Sequence, residues 1–103
     1  MTFETLMQDH LEWTSKTFPK GTSKGALLHA HREIDEIISD IETGAPNPIK
    51  AKEYADALFC IIDSANREGI DLQEIIVEGY CKLTTNKARK WKDNGDGSYS
   101  HIK

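Results

Sequence analysis

The chain has 103 residues, of which 38% are apolar, and this suits one compact domain with a single core. Its net charge of −4 conceals an asymmetry, because residues 82–103 hold 6 of the 13 Lys and Arg side chains but only 2 of the 17 Asp and Glu. An acidic body therefore ends in a basic segment. Because an acidic body repels the phosphates of nucleic acids, nucleic-acid binding is the least favoured function.

Cysteine usage and hydropathy limit the class of protein further. Cys60 and Cys81 have no Cys or His neighbours at zinc-site spacing, so we expect two reduced thiols, without a disulfide or zinc. The N-terminal segment lacks a signal-peptide pattern, and no apolar run approaches the roughly 18 residues of a membrane span. The absence of G-x-x-x-x-G-K-[ST] excludes a P-loop. These features predict a soluble cytoplasmic protein without a membrane partner.

The first half of the chain predicts two amphipathic helices. Apolar residues at helical spacing mark the first over residues 3–14, before a loop that contains Pro19. The second helix carries its apolar side chains between Leu27 and Ile41. Gly44 suits its C-cap, and the two prolines that follow discourage continuation.

The second half predicts two more helices and an irregular tail. The third helix covers residues 49–68 and ends at Gly69. The fourth follows Asp71, a suitable N-cap residue, and extends to Trp91. Residues 93–103 are expected to form turns and a loose end, because no segment alternates apolar and polar residues over a strand length. The predicted fold class is all-α.

Two short acidic motifs repeat one layout on the second and third helices. EIDE, residues 33–36, and EYAD, residues 53–56, each place two carboxylates one helical turn apart. At about 100° per residue, both pairs fall on the corresponding flank of the apolar stripe of their helix. An antiparallel packing of the two helices would bring these flanks together. The carboxylates are Glu33, Glu36, Glu53 and Asp56, with His29, Asp40, Cys60 and Asp63 close in angle.

Four unpaired carboxylates at one place would repel one another, and hard divalent cations relieve such repulsion. Mg²⁺ takes oxygen ligands at about 2.0–2.1 Å, commonly from carboxylates, waters and substrate phosphates. The motifs therefore predict a site for two or more ions. The alternative is a solvated helix face, since Glu favours helices and acids at i, i+3 are common on exposed surfaces. The duplication at matching phase favours the metal site.

A row of polar side chains on the fourth helix complements the acidic motifs. Lys82, Asn86 and Arg89 recur at i, i+4 and i+7, which places an ammonium, a carboxamide and a guanidinium along one side. Such a row can hold phosphate oxygens. Taken alone, it is also typical of a cationic last turn that complements the helix dipole. Together with a metal site, it indicates a substrate with several phosphates.

These residues resemble a known family. EIDE, a spacer of 16 residues and EYAD match the E-x-x-E, spacer, E-x-x-D pattern of the all-α MazG-like nucleoside triphosphate pyrophosphohydrolases. KLTTNKARKW, residues 82–91, resembles the K-x-x-x-N-x-x-R element that follows that site. Trp13 with Phe18-Pro19, DSANREGID at residues 63–71 and the closing DGSYSH are similar to the small dATP/dGTP diphosphohydrolase branch of bacteria and phages. The likeness covers nearly the whole chain, as one domain over residues 1–103.

The resemblance implies hydrolysis of a purine deoxynucleoside triphosphate, dGTP or dATP, to the monophosphate and pyrophosphate with Mg²⁺ or Mn²⁺. A water of lowered pKa would attack the α-phosphorus in line with the departing pyrophosphate, with Glu33 or Glu36 as general base. By matching positions, Lys82, Asn86 and Arg89 would contact phosphates or sugar. The location would be the host cytoplasm for a phage protein. The implied metal ligands are Glu33, Glu36, Glu53 and Asp56.

Four other side chains are candidates of a different kind: two have both a functional and a structural interpretation, and two have only a structural one. His29, one turn before Glu33, could support the metal site or touch substrate, or it could be an ordinary surface histidine. Trp91 could stack on a base, although packing of the last helix onto the core is the more common role of such a residue. Trp13 and Phe18 are assigned to packing.

Wide apolar stripes on a short chain predict self-association. We expect the helical bundle to be completed by a homodimer or a dimer-based homotetramer, as the resemblance also implies. The main alternative to an enzyme is a non-catalytic helical interaction or regulatory module that uses its acids as a binding surface. The two differ in their response to divalent ions, because a metal site that exists only in the folded state stabilises that state by mass action.

Overall fold

The computed structural model describes all 103 residues and contains four helices followed by a short β-hairpin. This architecture confirms the all-α class. The chain divides into two compact units, residues 1–72 and 73–103, each described by itself below. The elements are α1 Phe3–Thr17, α2 Ser23–Thr43, α3 Asn47–Arg67, α4 Leu72–Ala88, β1 Trp91–Asp93 and β2 Tyr99–His101.

Local capping explains where α1, α2 and α3 begin. The Thr2 hydroxyl accepts from the Thr5 N–H at 3.1 Å, and the Thr22 hydroxyl accepts from the Gly25 N–H at 2.9 Å. α3 begins two residues before the predicted start and carries Pro48 in its first turn, where the missing N–H costs no helical hydrogen bond. α1 ends three residues later than predicted, at Thr17.

Glycines in the left-handed region terminate α2 and α3, as predicted. Gly44 has φ 74°, and the N–H of Ala45 reaches back to the Asp40 carbonyl at 2.9 Å. Gly69 has φ 80°, and the N–H of Ile70 donates to the Ala65 carbonyl at 2.9 Å. Both are Schellman motifs, in which glycine adopts a positive φ without the steric cost of a Cβ.

α2 and α3 form an antiparallel helical hairpin. A short connection, residues 44–46, joins them, and the far ends meet where the Ser64 hydroxyl donates to the Ser23 carbonyl at 2.8 Å. α1 packs against α3. The hairpin therefore aligns the acidic flanks of its two helices, as the antiparallel packing predicted. The buried apolar residues of this unit are Met7, Leu11, Ala30, Ile37, Ala57, Ile62 and Leu72.

The second unit corrects two predictions. α4 ends at Ala88, so Arg89 lies just beyond the helix rather than on its side, and Trp91 begins a strand. The tail is a hairpin instead of a loose end: β1 pairs antiparallel with β2, with Trp91 opposite His101. Its turn does contain the expected residues, since the Asp93 carboxylate accepts from the Gly95 N–H at 2.8 Å. Backbone pairing over three residues a strand leaves no alternation to detect in the sequence.

Candidate active site

Four carboxylates come together where the acidic flanks of α2 and α3 meet. Glu33, Glu36 and Asp40 recur at i, i+3 and i+7 on α2, and all three act electrostatically on Glu53 of α3. His29, one turn before Glu33, places its Nε2 3.3 Å from the Glu33 Oε1. We call Glu33, Glu36, Asp40 and Glu53 the acidic cluster.

The other members of the acidic cluster strongly raise the pKa of Glu53. Hydrogen bonding with the Asp40 carboxyl, burial, and the negative charges of Asp40, Glu36 and Glu33 raise the pKa of Glu53 to about 7. Each of these causes disfavours the ionised carboxylate. A cation bound beside Glu53 would therefore stabilise its ionised carboxylate.

Two buried oxygens of the acidic cluster have no hydrogen-bond donor. They are the Oδ2 of Asp40 and the Oε2 of Glu53. Two ionised carboxylates are both acceptors, so the Asp40 and Glu53 groups form a hydrogen bond with each other only when one is protonated. Buried acceptors without a donor are costly, and divalent cations such as Mg²⁺ or Mn²⁺ bind oxygen donors of this kind. The donor set fits such ions.

Asp56, the fourth predicted ligand, stands apart from the acidic cluster. It is exposed and is absent from the charges that raise the pKa of Glu53, whereas it does act on Cys60 and His10. The charge of Glu33 acts on both Cys60 and Glu53. No three His, Cys, Asp or Glu side chains are arranged around one point as metal ligands. The structure therefore places Glu33, Glu36 and Glu53 in electrostatic reach of one another and Asp56 apart from them, and the role of all four as metal ligands stays a prediction.

A cavity of about 690 Å³ lies in the first unit and reaches Asp56. Its wall is formed by the end of α1, the α1–α2 loop of residues 18–22, the start of α2 and the middle of α3. A volume of this size suits a small-molecule ligand. The side chains and backbone at its wall include His10, Trp13, Phe18, His29, Asp56, Phe59, Cys60, Asp63 and Arg67.

Stacked aromatic rings line one side of the cavity. His10 stacks on Phe59 with ring centroids 4.3 Å apart and planes 6° from parallel, and Trp13 meets Phe18 edge-on at 5.4 Å. Trp13 and Phe18 are 55% and 50% exposed, so they pack against each other at the surface and not in the core, and both line the cavity. Burial lowers the pKa of His10, although the carboxylates of Asp63 and Asp56 oppose that shift. Burial therefore favours the neutral form of the His10 ring.

Both cysteines are free, as predicted. Burial and the nearby carboxylates of Glu33, Asp56 and Asp63 raise the pKa of Cys60 above its ordinary value. A thiol that resists ionisation is a poor nucleophile, because the thiolate is the reactive form. Cys60 therefore contributes a neutral, polarisable group to the cavity wall.

Arg67 fixes the loop that closes the cavity. Its Nε donates to both carboxylate oxygens of Asp63 at 3.2 and 3.1 Å, its Nη1 to the Gly21 carbonyl at 2.8 Å and its Nη2 to the Phe18 carbonyl at 3.2 Å. The sequence interpretation missed this role of Arg67, as it did that of His10 and Phe59. The spacing of Asp63 and Arg67, i and i+4 on one helix, is the signal that was available.

The residues predicted to bind phosphate lie in the second unit. Lys82 is exposed, and the Arg89 Nη1 is 3.5 Å from the Asn86 Oδ1. The Trp91 indole N–H donates to the Asn86 carbonyl at 2.9 Å, and its ring meets His101 edge-on at 6.0 Å. Trp91 thus caps the end of α4 within its own hairpin, so the expectation that it continues the last helix is wrong.

Comparison with known proteins agrees with this fold. The structure is similar to a cyanophage S-2L MazG-like pyrophosphohydrolase bound to dGDP and three catalytic Mn²⁺ ions per active site. The TM-score is 0.74 at 29% sequence identity, covering 100% of this chain and 99% of that one. The architecture is therefore that of a MazG-like helical pyrophosphohydrolase.

The particular family follows from the sequence. The model of the dATP/dGTP pyrophosphohydrolase family matches residues 6–103, and the chain belongs to this family. A dATP/dGTP diphosphohydrolase of Salmonella phage PMBT28 is 28% identical over 90 residues, which are 87% of this chain. The chain spans about 28% of the length of that relative. None of the four helices combines the length and hydropathy that a membrane span requires.

Proposed function

We propose that the chain is a divalent-metal-dependent pyrophosphohydrolase that converts a purine deoxynucleoside triphosphate, dGTP or dATP, to the monophosphate and pyrophosphate. The observation that carries this proposal is the pair of buried, donorless oxygens on Asp40 and Glu53 within the acidic cluster. Membership of the dATP/dGTP pyrophosphohydrolase family and the likeness to an enzyme bound to dGDP and Mn²⁺ support the substrate and the metal.

The proposed metal ligands are Glu33, Glu36, Glu53 and Asp56, and Asp40 supports Glu53. When bound, divalent ions would neutralise phosphate oxygens and lower the pKa of water. His29 orients the Glu33 carboxylate through its Nε2 contact. Because Glu33 has this partner, we assign to the Glu36 carboxylate the acceptance of the proton from the attacking water. Lys82, Asn86 and Arg89 are proposed to bind phosphate or sugar oxygens, because they match the K-x-x-x-N-x-x-R element.

The cavity is proposed to hold the nucleoside. Asp56 and His29 connect its wall to the acidic residues, so a nucleotide whose phosphates lie at the carboxylates would extend its base toward the aromatic rings. Stacking on an aromatic side chain stabilises a bound base by about 1–3 kcal/mol. Trp13 is well placed for this contact because its ring is half exposed at the cavity wall.

Replacing Trp13 with Ala is expected to raise KM by roughly tenfold or more, since loss of base stacking costs about 1–3 kcal/mol of binding. The turnover number should change little, because stacking on the base contributes to binding and takes no part in the attack on the phosphate. Phe3→Ala is the matched control: Phe3 is also half exposed on α1 and does not line the cavity. Initial-rate kinetics on both variants measure the effect; equal KM values would contradict the assignment.

A second copy of the chain is proposed to cover the apolar residues left exposed on α2 and α3. Ile34, Ile38 and Ile41 are 43–55% exposed at helical spacing, and Leu58 and Ile61 are 43% and 40% exposed on α3. Burial of such side chains drives association. We expect a homodimer or dimer-based homotetramer by light scattering, and Ile38→Asp should shift it toward monomer. A monodisperse wild-type monomer at micromolar concentration would count against this proposal.

Chromatographic product analysis tests the function. The protein is incubated with each deoxynucleoside and ribonucleoside triphosphate in turn, in Mg²⁺ and in Mn²⁺. The proposal expects monophosphate and pyrophosphate in equal amounts, fastest from a purine deoxynucleotide. Release of inorganic phosphate with diphosphate, or no turnover of any nucleotide, would exclude it.

A further inference from the structure

The motif DSANREG, residues 63–69, supplies side chains that contact the α1–α2 loop and Ser23 at the start of α2. The Ser64 hydroxyl donates to the Ser23 carbonyl, and the Ser23 hydroxyl donates to the Glu68 carboxylate. Asp63 and Arg67 of the same motif form an ion pair, and the Arg67 guanidinium also donates to backbone carbonyls of the α1–α2 loop. None of these contacts involves the acidic cluster, so the motif acts on the α1–α2 loop and the start of α2 rather than on the carboxylates of that cluster.

The guanidinium of Arg67 joins α3 to both ends of one turn. The Gly21 N–H donates to the Phe18 carbonyl at 3.0 Å, which closes the turn, and Arg67 donates to the carbonyls of both residues. The side chains of Arg67 and Asp63 are only 16% and 10% exposed, so solvent screens the pair weakly. All five residues of the loop, 18–22, line the cavity. One largely buried ion pair therefore ties that wall to α3.

We propose that Arg67, held by Asp63, is a positioning residue that sets the shape of the nucleoside cavity, and through it nucleotide affinity and base preference. This inference rests on the proposed function, because it assigns the cavity to the nucleoside. Arg67 does not act on the reacting phosphates; it acts through the Phe18–Gly21 turn and the Phe18 ring that meets Trp13.

Only arginine provides this set of contacts. Its planar guanidinium directs one N–H to the Asp63 carboxylate and others to two separate carbonyls, whereas a lysine ammonium is a single point charge. Arg67→Lys therefore keeps a cation beside the buried Asp63 but cannot donate to the Phe18 and Gly21 carbonyls at the same time. Retaining the charge matters, because removing one member of a buried ion pair leaves the other as an uncompensated buried charge.

Gly21 gives a second, independent probe of the same contact. A Cβ at this position would lie 2.7–2.8 Å from the Arg67 guanidinium, and its φ is not in the left-handed region, so the added methyl conflicts with the guanidinium and not with the backbone. Gly21→Ala should displace the guanidinium and imitate Arg67→Lys. Gly79→Ala is the matched control, since nothing lies within 4 Å of a Cβ there.

Steady-state kinetics with dGTP, dATP, dCTP and dTTP test the inference on wild type and the three variants. Arg67→Lys and Gly21→Ala are expected to raise KM for the preferred nucleotide roughly tenfold, as expected for weakened binding contacts, with kcat within about twofold. The ratio of kcat/KM between purine and pyrimidine nucleotides should fall in both. Gly79→Ala should keep wild-type values. Thermal melting accompanies the assays, so that a folded Gly21→Ala decides the question if Arg67→Lys is unstable.

The outcomes separate this inference from the function on which it rests. Wild-type turnover with unchanged KM and base preference in both variants would overturn the role of Arg67 and leave the pyrophosphohydrolase intact. An equal fall of kcat on every nucleotide, with KM unchanged, would also overturn it, since that pattern indicates a general loss of active protein. No wild-type turnover of any nucleotide would overturn both.

Discussion

Glu36→Gln is expected to lower kcat by about 100-fold or more, because it removes a proposed metal ligand and the proposed proton acceptor while keeping the size of the side chain. The Glu36 carboxylate belongs to the acidic cluster, where it acts on Glu53. Product formation from the preferred triphosphate, measured at saturating Mn²⁺, gives the loss directly.

Asp35→Asn is the matched control for Glu36. Asp35 belongs to the same EIDE motif, but its side chain is 68% exposed and lies 3.6 Å from the exposed His31, outside the acidic cluster. We expect wild-type kcat in this variant. Equal losses in both variants would show that the charge of the motif matters and not the position of its carboxylates.

Glu53→Gln is expected to change stability in opposite directions with and without metal. In chelator, the variant should unfold at a higher temperature than wild type, because it removes one of several repelling carboxylates and adds an amide donor beside the buried Asp40 oxygen. In Mn²⁺ at about 100 times Kd, wild type should gain about 2.7 kcal/mol by mass action, and the variant should lose most of this gain.

Thermal melting by circular dichroism in chelator and in Mn²⁺ measures both changes. Glu42→Gln is the control, since Glu42 is exposed in the last turn of α2 and is absent from the charges that perturb Glu53. A lower melting temperature of Glu53→Gln in chelator, together with an undiminished gain in Mn²⁺, would contradict the assignment of Glu53 as a ligand.

Helical periodicity predicted the parts of this fold that depend on local pattern. Apolar spacing and the terminating glycines located α2 and α3, and the matching phase of EIDE and EYAD predicted that their acidic flanks would meet. Gly44 and Gly69 adopt positive φ as their positions required. These features are predictable because a helix fixes which side chains share a face.

Contacts made across long sequence separations were not predictable in the same way. Arg67 reaches Phe18 and Gly21, more than 40 residues away, and its partners are backbone carbonyls that carry no residue signature. His10 and Phe59 meet across α1 and α3 for a similar reason. Trp13 and Phe18 were assigned to packing because periodicity distinguishes an apolar side from a polar one and does not reveal a cavity wall.

The short β-hairpin shows a different limit. Three-residue strands provide too few positions for an alternating pattern, and backbone hydrogen bonds such as Ile102 N–H to the Lys90 carbonyl at 2.8 Å determine the pairing. The turn residues between the strands were visible in the sequence, but the pairing around them was not.

The central claim is that the carboxylates of α2 and α3 bind divalent ions, and electron paramagnetic resonance of Mn²⁺ tests it most directly. Free Mn²⁺ is titrated into the metal-free protein, and the loss of its signal counts the ions bound per chain. We predict two or more ions bound by wild type and fewer by Glu53→Gln, with Glu42→Gln unchanged. Absence of Mn²⁺ binding in wild type, with and without nucleotide, would contradict the account and leave the acidic cluster as a protein-binding surface.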